Sequence, residues 1–246
     1  MAAYIAATFN VIVCFGIPLG AIAYYLVRDR RRAAAFGLGA LSFFVSQVVL
    51  RSAMLNALNG TVGFAVFSAT HPLLYILFLA LTAAIFEETA RLLFLRPQRK
   101  SPFDLGIAVA FGLGHGGLEA IIIGLNSAAL LIAPLHLIPM DASIAMAGVE
   151  RVSTIMIHVA LSVLVYAAIM RRNAWPFITA LALHTAVDAL VFAPRYLPIS
   201  GWAFEALLFI ISVAMLALSL RWVHSQKLQA AAKDASSATD AEPSHT

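Results

Sequence analysis

The sequence predicts an all-α protein, a polytopic transmembrane helical bundle of about seven spans, on three observations. Of its 246 residues, 62% are hydrophobic and only 11% charged, where a soluble domain carries about a quarter charged residues. The apolar residues fall in runs of roughly 20, the length that crosses about 30 Å of hydrocarbon. Arginine clusters stand at every second boundary between these runs, as the positive-inside rule requires of a multi-pass protein.

Each run can be justified in order. The first, about 4–27, has no basic residue before it and is too long for a signal-peptide core, so it reads as a retained helix, closed by Arg28, Arg30, Arg31 and Arg32. The second, about 34–56, carries Arg51 near its end, where it reads as interfacial. The third, about 71–95, begins at His71 and precedes Arg96, Arg99 and Lys100; the fourth, about 102–124, starts beside Asp104, a carboxylate suited to a helix N-terminus. A short apolar piece from Ala128 to Ile138 is cut by Pro134 and closed by Pro139. It is too short to span and suits an interfacial or re-entrant segment. The fifth run, about 144–170, precedes Arg171 and Arg172. The sixth covers about 174–193, and the seventh, about 202–221, precedes Lys227.

The intervening boundaries contain a single basic residue, Arg195. This asymmetry predicts the N-terminus outside, the C-terminus cytoplasmic, and a multi-pass protein of the cell inner membrane. Residues 1–225 form the membrane domain, with the site on the spans within 72–192. Residues 226–246, rich in Ala, Ser, Thr and Asp, read as a disordered cytoplasmic tail. The net charge of +4 lies in loops facing anionic headgroups, so membrane lipid is the expected partner and nucleic acid is not. Cys14, the single cysteine, can form no internal disulfide.

Four spans carry ionisable residues in their interiors, at a cost of roughly 2.5 to 3.5 kcal/mol per charge near the bilayer centre, which marks them as functional candidates. They are Glu87, Glu88 and Arg91; His115 and Glu119; Glu150, Arg151 and His158; and His184 and Asp188. Residues four apart share a helix face, which pairs Glu87 with Arg91, His115 with Glu119, and His184 with Asp188. Counted at 1.5 Å per residue, Glu87, His115, His158 and His184 lie on the order of 13 to 20 Å from the inner boundary. One mid-membrane polar cavity follows, with the four polar spans packed together and the first and last spans at the periphery. Arg91 also suits a structural role neutralising Glu87 or Glu88, and Glu150 with Arg151 a structural pair. Gly112, Gly114, Gly116 and Gly117 give the fourth helix a face that admits close neighbours.

A glutamate buried among apolar helices is a plausible general base, a nearby His can hold the attacking water, and a second His can stabilise an oxyanion. That equipment suits hydrolysis of an amide. The same side chains permit a metal version, in which His115, Glu119, His158 and His184 are candidate ligands for Zn²⁺. No His-Glu-x-x-His helix is present.

At these residues the chain resembles a known group. Glu87-Glu88-x-x-Arg91, Phe111-x-x-x-His115 and His184-x-x-x-Asp188 are similar to the motifs of the CAAX-protease and bacteriocin-processing (CPBP, or Abi) superfamily. Gly114-His115-Gly116-Gly117-x-Glu119, Glu150-Arg151 and His158 most resemble its YhfC branch of intramembrane metalloproteases. The resemblance implies an intramembrane endopeptidase with Glu87 and Glu88 in the site, Glu87 as base, His115 on the water, and His184 with Asp188 at the oxyanion. It also implies a membrane-associated peptide or protein substrate. The wider superfamily usually has its Arg one residue later and often ends in Asn where this chain has Asp188. An ionised Asp188 would repel an oxyanion, so it either acts protonated or orients His184. Two other classes compete: a proton-coupled transporter, which would string polar groups across the bundle, and a non-catalytic membrane scaffold or immunity protein. A retinal protein is excluded, since residues 201–220 contain no lysine for a Schiff base.

Overall fold

Helices account for nearly all of the fold in this computed structural model, which describes residues 2–100, 102–132 and 143–239. Among the described residues there is no strand. Six helical segments are long and apolar enough to cross a bilayer: Tyr4–Arg28, Arg30–Asn59, Pro72–Arg99, Leu105–Ala129, Ile144–Arg171 and Gly201–Ser225. A seventh apolar helix, Trp175–Leu190, has 16 residues and is therefore only about 24 Å long.

The first rod comprises α1 (Ala2–Val11), a π-helical stretch Ile12–Gly16, and α2 (Ile17–Arg28). Asp29 breaks it in an extended conformation and caps the next helix, its Oδ1 accepting from the backbone N–H of Arg31 and of Arg32 in the usual N-cap manner. The second rod runs through α3 (Arg30–Phe43), a π-helical stretch Phe44–Arg51 and α4 (Ser52–Asn59). A short helix, α5 (Val62–Thr70), then lies in what the sequence marked only as a boundary; Phe64 and Phe67 tie it to Tyr75 and Phe78 of α6 (Pro72–Leu95). Next come α7 (Leu105–Ile132), α8 (Ser143–Arg171), α9 (Trp175–Leu190) and α10 (Gly201–Thr239).

Asp104 stands at the start of α7, accepting from the backbone N–H of Gly106 at 2.8 Å. The segment from Ala128, expected to leave the helix, instead continues α7 as far as Ile132; the remainder of that expected interfacial piece, with His136, falls outside the described residues. At the other end α10 stays helical to Thr239. Its residues 227–233, Lys-Leu-Gln-Ala-Ala-Ala-Lys, are strong helix formers, a local preference that the polar composition obscured.

Burial identifies the centre of the bundle. Of the membrane-crossing window of α8, 83% is buried, against 28% for the first rod and 33% for α10. α8 packs on α7, α9, α10 and α1, and α6 packs on α9, α3 and α8. The expected peripheral position sets apart the first span only: the last, at 33%, is no more lipid-facing than the second and third, which are also 33% buried, and it packs along α8. The second span is no bystander, since α3 lies along α7 in the most extensive helix pairing among the described residues.

Glycines make that pairing possible. A Cβ on Gly39 would lie 2.0 Å from the carbonyl oxygen of Phe111, and one on Gly114 would lie 1.9 Å from that of Phe36. The backbones of α3 and α7 therefore touch directly, and each contact forbids any side chain, the small-residue packing typical of helices in lipid. Gly114→Ala or Gly39→Ala will destabilise the bundle by about 1–3 kcal/mol or more, the range for overpacking. Gly37→Ala is the control on the same helix, since a Cβ there meets nothing within 4 Å. Thermal unfolding in detergent should show the first two variants melting well below wild type and the control at or above it.

Candidate active site

Five helices deliver the polar groups. α6 places Glu87, Glu88 and Arg91 on one buried face, all three with at most 4% of their surface exposed. α7 brings His115 and Glu119, α8 brings Glu150, Arg151 and His158, α9 brings His184 and Asp188, and the second rod brings Ser42, Gln47 and Arg51.

Glu87 is the point on which they converge. Its Oε2 lies 2.8 Å from His115 Nε2, 3.8 Å from His158 Nδ1, 3.9 Å from His184 Nε2 and 3.3 Å from Arg91 Nη2. Its Oε1 accepts from the Gln47 carboxamide. The nitrogen of each histidine that faces away from Glu87 is also engaged: His115 Nδ1 with Ser42 Oγ at 2.8 Å, His158 Nε2 with Glu119 Oε2 at 2.6 Å, and His184 Nδ1 with Glu88 Oε1 at 2.6 Å. Three imidazoles on three helices thus have one nitrogen anchored and the other turned to a single carboxylate oxygen.

The surrounding charges are paired around this centre. Arg91 donates to Glu88 and Glu87 and stands 2.5 Å from His158 Nδ1. Arg151 donates to Glu119 at 2.7 Å and to Glu150 at 2.5 Å, so Glu150 and Arg151 form a pair that also steadies Glu119. Asp188 is different. It approaches His184 Nε2 only to 3.7 Å, and its side chain is 34% exposed. A cavity of about 410 Å³ opens onto the set, with Gln47, Arg51, Glu87, His158, His184 and Asp188 on its walls.

All ten residues singled out from the sequence therefore lie in one connected cluster. Its inner set is narrower than the four expected metal ligands. Glu87, His115 and His158 each offer a ligand atom within 4.8 Å of the others; Glu119 stands behind His158, and His184 faces Glu87 from just outside the trio. Two histidines and a carboxylate are the donor set of several catalytic zinc sites, and the anchored far nitrogens of His115 and His158 supply the outer partners that such ligands normally have. Five carboxylates (Glu87, Glu88, Glu119, Glu150, Asp188) face three guanidinium groups (Arg51, Arg91, Arg151), a deficit that a divalent cation would offset. Arg91 Nη2 shares the space among these donors, and its Nη1 contact with Glu88 leaves it an alternative anchor. The residues fit a metal.

Three participants escaped the sequence reading: Ser42, Gln47 and Arg51. On an ordinary helical wheel Gln47 and Arg51, four apart, share a face, while Ser42 lies about 140° from Gln47. The π-helical winding over Phe44–Arg51, whose i→i+5 bonding widens the turn and recurs at functional sites, keeps Phe43, Gln47 and Arg51 together on the cavity wall.

The chain is 29% identical over 243 residues to the "Uncharacterized membrane protein YhfC" of Bacillus subtilis (strain 168), an alignment covering 87% of this chain and 93% of that protein. The profile of the family described as YhfC intramembrane metalloprotease matches residues 13–142 and 136–211, which together include every residue of the cluster. With most of its length matched, this multi-pass membrane protein belongs to the YhfC intramembrane metalloprotease family.

Proposed function

We propose that the protein is an intramembrane metallopeptidase of the cell inner membrane, hydrolysing a peptide bond of a membrane-associated peptide or protein at Glu87. The observation that carries this reading is the convergence of three anchored imidazoles on Glu87 Oε2. Buried charge of this density is costly in a bilayer, and a purely structural role needs only the pairs, such as Arg91 with Glu88, and not three imidazoles gathered around one carboxylate oxygen.

Glu87, His115 and His158 would hold the metal, most simply Zn²⁺, which when bound polarises the substrate carbonyl and acidifies a water molecule. Gln47 keeps the Glu87 carboxylate turned so that Oε2 faces the histidines. Glu119, clamped by Arg151, fixes the orientation of His158 through Nε2. Asp188, a partly exposed carboxylate on the cavity wall, accepts the proton of the attacking water and returns it to the leaving amine. His184, backed by Glu88, presents Nε2 to the cavity and as an imidazolium donates to the oxyanion of the tetrahedral intermediate. This division of labour gives Asp188 a role suited to its charge.

Apolar packing on one side favours a peptidase over a proton relay. Below His158, residues 159–170 of α8 carry no acidic, basic or histidine side chain, and most are buried against Ile107, Ala108 and Phe111 of α7 among others. The polar groups stop in mid-bundle.

Metal analysis tests the reading directly. Purified wild type should carry about one equivalent of transition metal per chain, His115→Ala and His158→Ala should carry none, and Glu119→Gln should bind 10–100-fold more weakly in chelator competition, the usual effect of losing an outer partner. A metal-free wild type that still cleaves peptides would overturn the metal assignment.

Activity separates the roles. In proteoliposomes with a library of apolar peptides read by mass spectrometry, Asp188→Asn should lower cleavage about 10²–10⁴-fold, the contribution of a general base, while retaining full metal. Loss of metal in Asp188→Asn, or undiminished cleavage, would remove it from the proton-transfer role.

A further inference from the structure

Three guanidinium groups face the cavity region, and two of them are spent on carboxylates: Arg91 on Glu87 and Glu88, Arg151 on Glu119 and Glu150. Arg51 differs. Its Nη1 donates to Gln47 Oε1 at 3.0 Å, its Nη2 to the backbone carbonyl of Leu79 at 2.8 Å, and its Nε to Thr82 Oγ1 at 3.4 Å. Among the described residues it makes no ion pair. Glu87 and Asp188 act on it only at longer range, the first already held by Arg91 and the second leaning on His184. A guanidinium has five N–H donors, so two remain after these contacts, and Arg51 lies on the cavity wall. Intramembrane arginines ordinarily pair or mark a substrate path; this one is held rigidly by neutral acceptors with its charge unspent.

Its position relative to Glu87 is also defined. Gln47 bonds to both, accepting from Arg51 and donating to Glu87. Thr82 precedes Glu87 by five residues on α6, a rise of about 7.5 Å. An extended peptide advances about 3.3–3.6 Å per residue, so a group held by Arg51 sits about two residues from a bond placed at Glu87.

We propose that Arg51 is the anchor of a carboxylate-binding subsite, which selects substrates carrying a carboxylate about two residues from the scissile bond. The carboxylate comes from a free C-terminus or from an Asp or Glu side chain. Planar guanidinium donors match a carboxylate's two oxygens, and a substrate that supplies the missing counter-charge neutralises Arg51 where water is scarce. The inference rests on the reading of this cavity as the substrate site.

The test uses the full-length, metal-loaded protein in nanodiscs and fluorescent probes that contain no peptide bond to cut. Dansyl-leucine tests a terminal carboxylate, dansyl-leucinamide is its neutral counterpart, and dansyl-glutamic acid α-amide tests a side-chain carboxylate. Wild type should bind one or both acids roughly 10–100-fold more tightly than the amide, the range for a hydrogen bond to a charged group. Arg51→Gln should erase the difference and Arg51→Lys should retain part of it, so that an ill-folded Gln variant is recognised by its Lys companion and by its melting temperature. Equal binding of acid and amide by wild type, or a preference that survives in Arg51→Gln, would overturn the subsite. So would displacement of the acids by dihexanoyl phosphatidic acid at far lower concentration, which would assign Arg51 to a lipid phosphate. An acid preference lost in Arg51→Gln, in a protein that cleaves no peptide, would keep the subsite while removing hydrolysis.

Discussion

The polar core of this bundle is arranged to keep the carboxylate of Glu87 partnered and oriented where water is scarce. An isolated charge buried among apolar helices is so unfavourable that it survives only when neighbours compensate it fully. Here compensation comes from every direction: Gln47 on one oxygen, and Arg91 and His115, with His158 and His184 further out, on the other. Each of these neighbours is in turn buried and polar, so each needs a partner, and the requirement spreads outward to Ser42, Glu88, Glu119, Arg151 and Glu150. One central charge thereby dictates polar residues on five helices. The outer members are not decoration, since removing any of them strands a buried group.

The scaffold meets this demand by making the helix contacts on the opposite side of α7 unusually tight. Direct backbone contact at Gly39 and Gly114 fixes α3 against α7. The hydrogen bond between Ser42 and His115, one turn from Gly39 and next to Gly114, inherits that fixed register. Gly112 and Gly116 play a comparable part against α8, where added methyl groups would run into Val159 and His158. Precision at the site is therefore set by residues with no side chain at all.

Much of this is readable in the chain before any coordinates. Span positions follow from apolar length and arginine placement, and the ionisable residues of α6 to α9 stand out because lipid does not tolerate them idly. Matching depths and i,i+4 spacing are enough to gather Glu87, His115, His158 and His184 into one layer. The second rod is another matter. Ser42 and Gln47 are uncharged and common in membrane helices, and Arg51 looks like an ordinary boundary residue; no local pattern announces the packing of α3 that brings Ser42 to His115 or the π-helical stretch from which Gln47 reaches Glu87. Distinguishing Glu87 from Glu119 as the inner carboxylate likewise depends on which face of α7 meets α8. Sequence spacing leaves that rotation undetermined.

The brevity of α9 has a consequence for the membrane itself. At 16 residues the helix falls short of the hydrocarbon thickness by several ångströms, and Asp188 lies two residues from its end with part of its carboxylate open. A bilayer meeting so short an apolar wall thins or dimples to match it. Thinning of that kind brings the membrane surface toward Asp188, the most exposed of the five carboxylates, and shortens the path by which water reaches the cavity.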